Sequence, residues 1–249
     1  MLVHFVVGLI IATLTSCLGK TELTVDQILE NVENAEVSTV IADITYIKTD
    51  PILDRKEIRS GKVLFRMNSE DRREAAILFE TQIIGRRKEQ RLKHYIFSGR
   101  WMAEVDHDKK QFIKRELVSP TEQQIDPFEI GNGPIPFPIS QSKESVLTKF
   151  NVELIDKPEE GALSKLPDDV VGLRLLPKTP SEWEYIDLFY DPKTWLPIGV
   201  KTTESDETKR VCRLTNVKLN ALTEEEAILL SIQTPDPREW SIDIRPWVE

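Results

Sequence analysis

The sequence predicts a mainly β protein of the α+β kind: a curved antiparallel sheet with one face buried and short helices laid against it. Three observations carry that expectation. Between Gly61 and Leu117, apolar and polar residues alternate with period two, in runs broken by polar turn clusters. Apolar residues at helical spacing occur only in short stretches, of which Val25 to Val32 is the clearest. Hydrophobic residues make up 40% of the 249, enough to build a core and too many for global disorder.

Taken in order, the first helix is expected over residues 24–32. Thr24 is placed to cap it, with Gln27 at the capping-box position, and Val25, Ile28, Leu29 and Val32 form one apolar stripe. That stripe has to face the sheet, the only large apolar partner in the chain. Val37 to Lys48 alternates as a first long strand, with Val40, Ala42, Ile44 and Tyr46 in phase. After a loop at residues 50–55, Lys62 to Met67 puts Val63, Phe65 and Met67 on one face and Lys62 and Arg66 on the other. Glu74 to Ile84 repeats the pattern with Ala75, Ile77 and Phe79. Leu92 to Phe97, Trp101 to Val105 and Gln111 to Leu117 continue the meander, with a turn at residues 106–110.

Beyond Leu117 the pattern changes. Ser119-Pro120-Thr121-Glu122 reads as a helix start with Pro in the first turn. Residues 126–139 are rich in Pro and Gly yet carry Phe128, Phe137 and three isoleucines, Ile135 among them. So many large apolar groups do not suit a solvated linker, and the segment is expected to pack across an opening of the sheet. A short helix over 142–150 leads into strands at 150–155, 170–177 and 183–190. Asp191-Pro192 starts a turn that ends at Pro197. Strands at 198–203 and 210–219, a helical turn at 223–229 and a last short strand at 240–244 complete the chain. No internal repeat, low-complexity tract or Gly/Ser linker divides it, so residues 18–249 are expected to form a single domain.

The formal net charge of −9 excludes a typical nucleic-acid binder, which needs a basic surface for phosphate contacts. The basic run Arg86-Arg87-Lys88, with Arg91 and Lys93, reads as a solvated hairpin loop. Residues 1–15 are nearly all apolar, too short for a comfortable membrane span, and fit a secretory signal. Leu14-Thr15-Ser16-Cys17 closes that run and looks like a bacterial lipobox, in which Cys17 would carry the lipid anchor. Ordinary cleavage nearby with Cys17 incidental, and a retained anchor helix, are the alternatives. Cys212, the other cysteine, sits in an alternating apolar stretch and reads as a small buried core residue.

Two stretches then resemble a known family. Tyr95-Ile96-Phe97-Ser98-Gly99-Arg100-Trp101-Met102-Ala103-Glu104-Val105-Asp106, followed by Lys110-Gln111, resembles a hairpin of outer-membrane lipoprotein carrier and sorting proteins, the LolA/LolB-like superfamily. Residues 189–197, Phe-Tyr-Asp-Pro-Lys-Thr-Trp-Leu-Pro, are similar to that family's Asp-Pro-Lys-Thr turn. The stretch from Asp126 to Phe150 is similar to a branch of secreted LolA-like proteins from planctomycete-type bacteria. The order of helix, long strand, meander, Pro-rich segment and second meander also fits, so the resemblance covers most of the mature chain. It implies an incomplete, strongly curved antiparallel β-barrel with short helices forming a lid over a hydrophobic cavity. It further implies a periplasmic or cell-envelope protein that carries acyl chains of lipoproteins or phospholipid. Arg66 is one candidate for the arginine that holds the family's lid closed.

No catalytic or metal motif accompanies this: no Gly-x-Ser-x-Gly, His-Glu-x-x-His, Cys-x-x-Cys or phosphate loop is present. His94 falls in a strand and His107 in a turn, neither at metal-ligand spacing. Asp106 and Asp108 serve the turn. The expectation is a non-enzymatic, monomeric protein with no cofactor. Its candidate lipid-binding residues are Val63, Phe65, Ile77, Phe79, Tyr95, Phe97, Leu188 and Tyr190. Its candidate lid residues are Val25, Ile28, Leu29, Val32, Phe128, Ile135 and Phe137. Core packing without any ligand is the alternative for the first set, and an envelope sensor or protein-interaction module on the same scaffold is the alternative function.

Overall fold

The computed structural model describes residues 23–53, 55–67, 73–119, 121, 139 and 141–248. Cys17, Phe128, Ile135 and Phe137 lie outside the described residues, as does nearly all of the helix expected from residue 119. The first helix, α1 (Val25–Glu33), starts where the sequence sets its cap: the Gln27 N–H donates to the Thr24 hydroxyl, and the Gln27 side chain accepts from the Thr24 N–H. Its stripe of Ile28, Leu29 and Val32 is buried, and Val25 is partly so.

The first meander comprises β1 (Thr39–Asp50), β2 (Arg55–Met67), β3 (Arg73–Ile84), β4 (Arg87–Ser98), β5 (Trp101–Asp106) and β6 (Gln111–Glu116). A second follows helix α2 (Lys143–Lys149): β7 (Phe150–Ile155), β8 (Val171–Pro177), β9 (Trp183–Tyr190), β10 (Pro197–Glu204) and β11 (Lys209–Leu219). Helix α3 (Glu224–Ile228) and strand β12 (Ser241–Arg245) end the described chain. The turns have local causes. Gly99, at φ +60, supplies the left-handed residue of the two-residue loop that pairs Ser98 with Trp101. Asp191 holds the 191–196 turn, accepting from the Lys193 N–H at 3.0 Å and the Thr194 hydroxyl at 3.1 Å.

Among the described residues, twelve strands join one open sheet, in the order β12-β6-β5-β4-β3-β2-β1-β11-β10-β9-β8-β7. The two meanders meet at the β1–β11 pair, which is antiparallel with Tyr46 opposite Cys212. The sheet has to curl. α1 leads directly into β1, yet it touches β7, five strands away. Five strand spacings are about 24 Å if flat, and a nine-residue helix is only about 14 Å long. The curl is helped by a bulge in β3, where Glu80 is the extra residue opposite the Ser60–Gly61 step of β2. Gly61 is required there, because a Cβ at that position would lie 1.9 Å from the Leu78 carbonyl oxygen.

The expectation of one buried face holds only in part. The inner face carries the main core, from Val40, Ala42 and Ile44 through Val63, Phe65, Ile77 and Phe97 to Leu173, Leu175 and Leu188. A second core lies on the outer face of β2–β6, where Leu64, Ala76, Leu78, Ile96, Ala103, Val105 and Phe112 pack under Leu230 and its partly buried neighbours Leu222, Ile232, Trp240 and Ile242. The segment after β11 therefore straps the outside of the first meander. It ends by adding β12 parallel to β6, with Ile242 opposite Phe112.

Candidate functional site

Strand alternation and register bring the candidate residues together on the inner face. Phe65 pairs with Ala75 and Val63 with Ile77, while Ala75 and Ile77 pair in turn with Phe97 and Tyr95. From the other meander, Leu188 and Tyr190 reach the same cluster. Seven of the eight are almost wholly buried, Phe65 at 0% exposure, and Tyr95 is partly buried. Burying a side chain of that size contributes about 1.5–3 kcal/mol each, so the face is a main source of stability as well as a candidate site.

Tyr95 marks a boundary. Along the strands away from Phe65, the inner face turns polar. Tyr46 lies opposite Arg59, and Lys48 opposite Glu57. Arg59 pairs with Glu57, Lys93 with Glu104 at 2.6 Å, and Arg210 with Glu204. The Arg59 guanidinium sits 5.7 Å from the Phe79 ring centre and the Lys93 ammonium 5.5 Å from that of Tyr95. Phe79 bridges the zones, edge-on to Tyr95 at 6.3 Å and tilted against Tyr46 at 5.9 Å. Burial pushes the Tyr46 phenol up to about 12, so it stays a neutral donor across the physiological range. Tyr190, deeper in the cluster, is pushed up too, by burial alone.

α1 covers the apolar zone and is held from the side. The Lys143 ammonium, on α2, lies 2.9 Å from both Asp26 and Glu30 of α1, which keeps that ammonium protonated more firmly than usual. Sequence reading missed Lys143, because its partners lie more than a hundred residues away and no local pattern announces them. Arg66 does not hold the cover: it alternates with Phe65, faces the outer side, and donates to Glu74 at 2.9 and 2.6 Å. Arg91 and Lys93 also differ from the loop expected for the basic run. They stand within β4, Arg91 bridging Asp106 at 2.6 Å and Asp108 at 3.0 Å.

Elsewhere, His94 and His107 meet on the outer side of the sheet, Nδ1 to Nε2 at 3.1 Å, and Trp240 stacks edge-on to His107 at 5.5 Å. Cys212 is buried and burial pushes its thiol up, which suits a core role over a nucleophilic one. Among the described residues, no group of three or more His, Cys, Asp or Glu is placed to hold a metal ion, and no helix is long and apolar enough to cross a membrane.

Fold and site together define a class: an open, curved antiparallel sheet whose inner face is apolar at one end, polar at the other, and covered by a short helix. No protein-family profile matches the chain, and no curated protein matches it by sequence. Solved structures are similar in layout. An uncharacterized conserved protein from Thermus thermophilus is 11% identical, with a TM-score of 0.47 over 88% of this chain and 98% of that one. The MucA/MucB complex of Pseudomonas aeruginosa matches at 13% identity and a TM-score of 0.46, over 83% of this chain and 60% of that one. A LolA superfamily protein from Nitrosomonas europaea matches at 13% identity and a TM-score of 0.36, over 82% and 97%. All three scores lie below 0.5, and a shared layout carries no function with it.

Proposed function

We propose that this protein binds the acyl chains of lipids or lipoproteins on its inner face, as a carrier of the cell envelope. The observation behind this reading is the amphiphilic layout of that face. An apolar floor around Phe65, Ile77, Phe97 and Leu188 runs into a layer of Tyr46, Arg59, Lys93 and Tyr95. An acyl chain gains about 0.8 kcal/mol per CH₂ removed from water, while a polar head meets hydrogen-bonding groups at the layer. α1 is short and amphipathic, so a chain offering comparable apolar area exchanges with it, and loading stays reversible. In this reading, residues 1–17 direct export, a lipidated Cys17 supplies membrane contact, and residues 18–249 work as a monomeric domain.

The test is native mass spectrometry with lipid extraction on protein lacking residues 1–17. Co-purifying phospholipid or acylated peptide is expected. A matched sample carries Glu30→Cys and Lys143→Cys joined by a short bis-maleimide linker, which pins α1 to α2, and its lipid uptake should be lost. A clean mass with no uptake of added lipid, pinned or free, rules the carrier reading out.

A second reading rests on a different observation. Among the described residues β12 is an edge strand; Ile244 on it and Trp247 and Val248 just after it are exposed, Val248 at 81%. An edge strand with exposed apolar side chains suits an extended protein partner added as a further strand. In that case the protein is an envelope sensor or interaction module whose inner face stays packed, and the lipid-free result above is the expected one.

A further inference from the structure

Apart from the inner face, a pocket of about 370 Å³ opens between the 156–170 loop and strands β10 and β11. The loop is drawn close by Gly199. A Cβ there would lie 2.6 Å from a Leu166 methyl and 3.0 Å from a Leu163 methyl, so the glycine leaves room for both side chains to pack on β10. Arg213 alternates with the inward Cys212 and stands opposite Thr45 and Gly199, which puts it on the outer face, at the pocket.

The charges around this pocket are unevenly matched. Asp191 is taken up by its own turn, and Asp169 lies 3.7 Å from Lys193. Arg213 and Lys165 have no acidic partner within ion-pair distance among the described residues. The Arg213 Nε is also buried and has no hydrogen-bond acceptor. Arginines on the inner face show the contrast: Arg59 and Arg210 each have a glutamate. A buried, unpaired guanidinium N–H is costly in a folded protein unless something accepts from it. Leu166, Pro167, Ile198, Leu214 and Val217 give the wall an apolar side, with Leu166, Ile198 and Leu214 buried, and Thr215 and Asn216 add polar groups beside it.

We infer that this pocket binds a small amphiphilic anion: one carboxylate or phosphate head received by Arg213 and Lys165, and a short apolar body against Leu166, Ile198 and Leu214. A planar guanidinium accommodates either oxyanion in two-point fashion, and Lys165 adds a mobile point charge at the rim. None of the residues lining this pocket belongs to α1.

Isothermal titration with octanoate, octyl phosphate, inorganic phosphate and octylamine tests it. Saturable one-to-one binding of octanoate or octyl phosphate is expected, with whichever head binds identifying the class, weak heat from inorganic phosphate, and none from octylamine. Loss of a charge-assisted bond should weaken binding at least about tenfold in Arg213→Gln and in Lys165→Gln. Lys165 is exposed, so its variant tests the head contact even where Arg213→Gln folds poorly. Binding of octylamine as well, affinity unchanged in both variants, or no saturable heat from any anion overturns the inference. So does binding that ignores both residues but vanishes when α1 is pinned to α2, since that ligand sits on the inner face.

Discussion

Acidification should loosen this protein through one imidazole. His94 stands in β4 between Leu78 and Val105 on the outer face, bonded to His107, which Trp240 covers. Burial, then the charge of His107, press the His94 pKa down from 6.5 to about 4. The folded state therefore favours the neutral ring. Its contribution is fully present above pH 6.5 and is lost as pH falls from 6.5 towards 4. The charged groups around the pair are already matched, Arg91 with Asp106 and Asp108, and Lys110 with Glu239. An interval of about 2.5 pH units corresponds to roughly 3.4 kcal/mol at full effect. Because the ring is only about half buried, screening reduces this to about 1–2 kcal/mol. Urea unfolding at pH 7.5 and pH 4.5 measures it, with His94→Leu as reference, since leucine fits the Leu78 and Val105 layer. The natural protein should lose about 1–2 kcal/mol more than the variant across that interval. Parallel losses in the two proteins would refute the reasoning, because carboxylate protonation is common to both.

Other outcomes follow from particular contacts. Gly61→Ala places a methyl group against the Leu78 carbonyl and should cost about 2–3 kcal/mol in urea unfolding. Leu230→Ala, at a wholly buried position of the outer core, should cost about 2–5 kcal/mol, whereas a loosely attached strap would give far less. Lys143→Gln removes both bonds between α2 and α1 and should leave the melting temperature almost unchanged while speeding hydrogen exchange over residues 25–33. Unchanged exchange there would mean that the apolar stripe alone holds the helix.

Much of the architecture is written in local pattern. The capping box at Thr24, the extents of β3 and β5, the hairpin at Gly99 and the Asp191 turn are short-range features, and each is found where the sequence places it. Two kinds of feature are not local. The first half of β2, from Arg55 to Arg59, is charged at nearly every position, so it shows no alternation. It is a strand because β1 and β3 pair with it, and its charges satisfy one another at the polar end of the inner face. The outer core escapes a one-face reading because period two assumes that one side meets water. The continuous runs Val63-Leu64-Phe65 and Ala75 to Phe79 signal burial on both sides, but nothing in them says that residues after 220 supply the cover. The candidate site divides in the same way: its apolar residues are legible from phase, while Lys143 and Arg213 acquire their settings only in three dimensions.

The β1–β11 seam bears on how the chain reaches this shape. Each meander is built from neighbours in sequence and can condense through short loops. Joining them requires residues 40–49 to find residues 209–219, across nearly the whole of the second meander and everything before it. Closing so long a loop is entropically expensive before any contact rewards it, so this pairing is expected late in folding. Until then both flanks, β1 on one side and β11 on the other, stand as unpaired edges, β1 rich in β-branched residues, the kind that a second chain can capture. Yield on refolding should therefore fall with protein concentration, and a chain permuted to begin at β11 and run directly into β1 should escape that dependence.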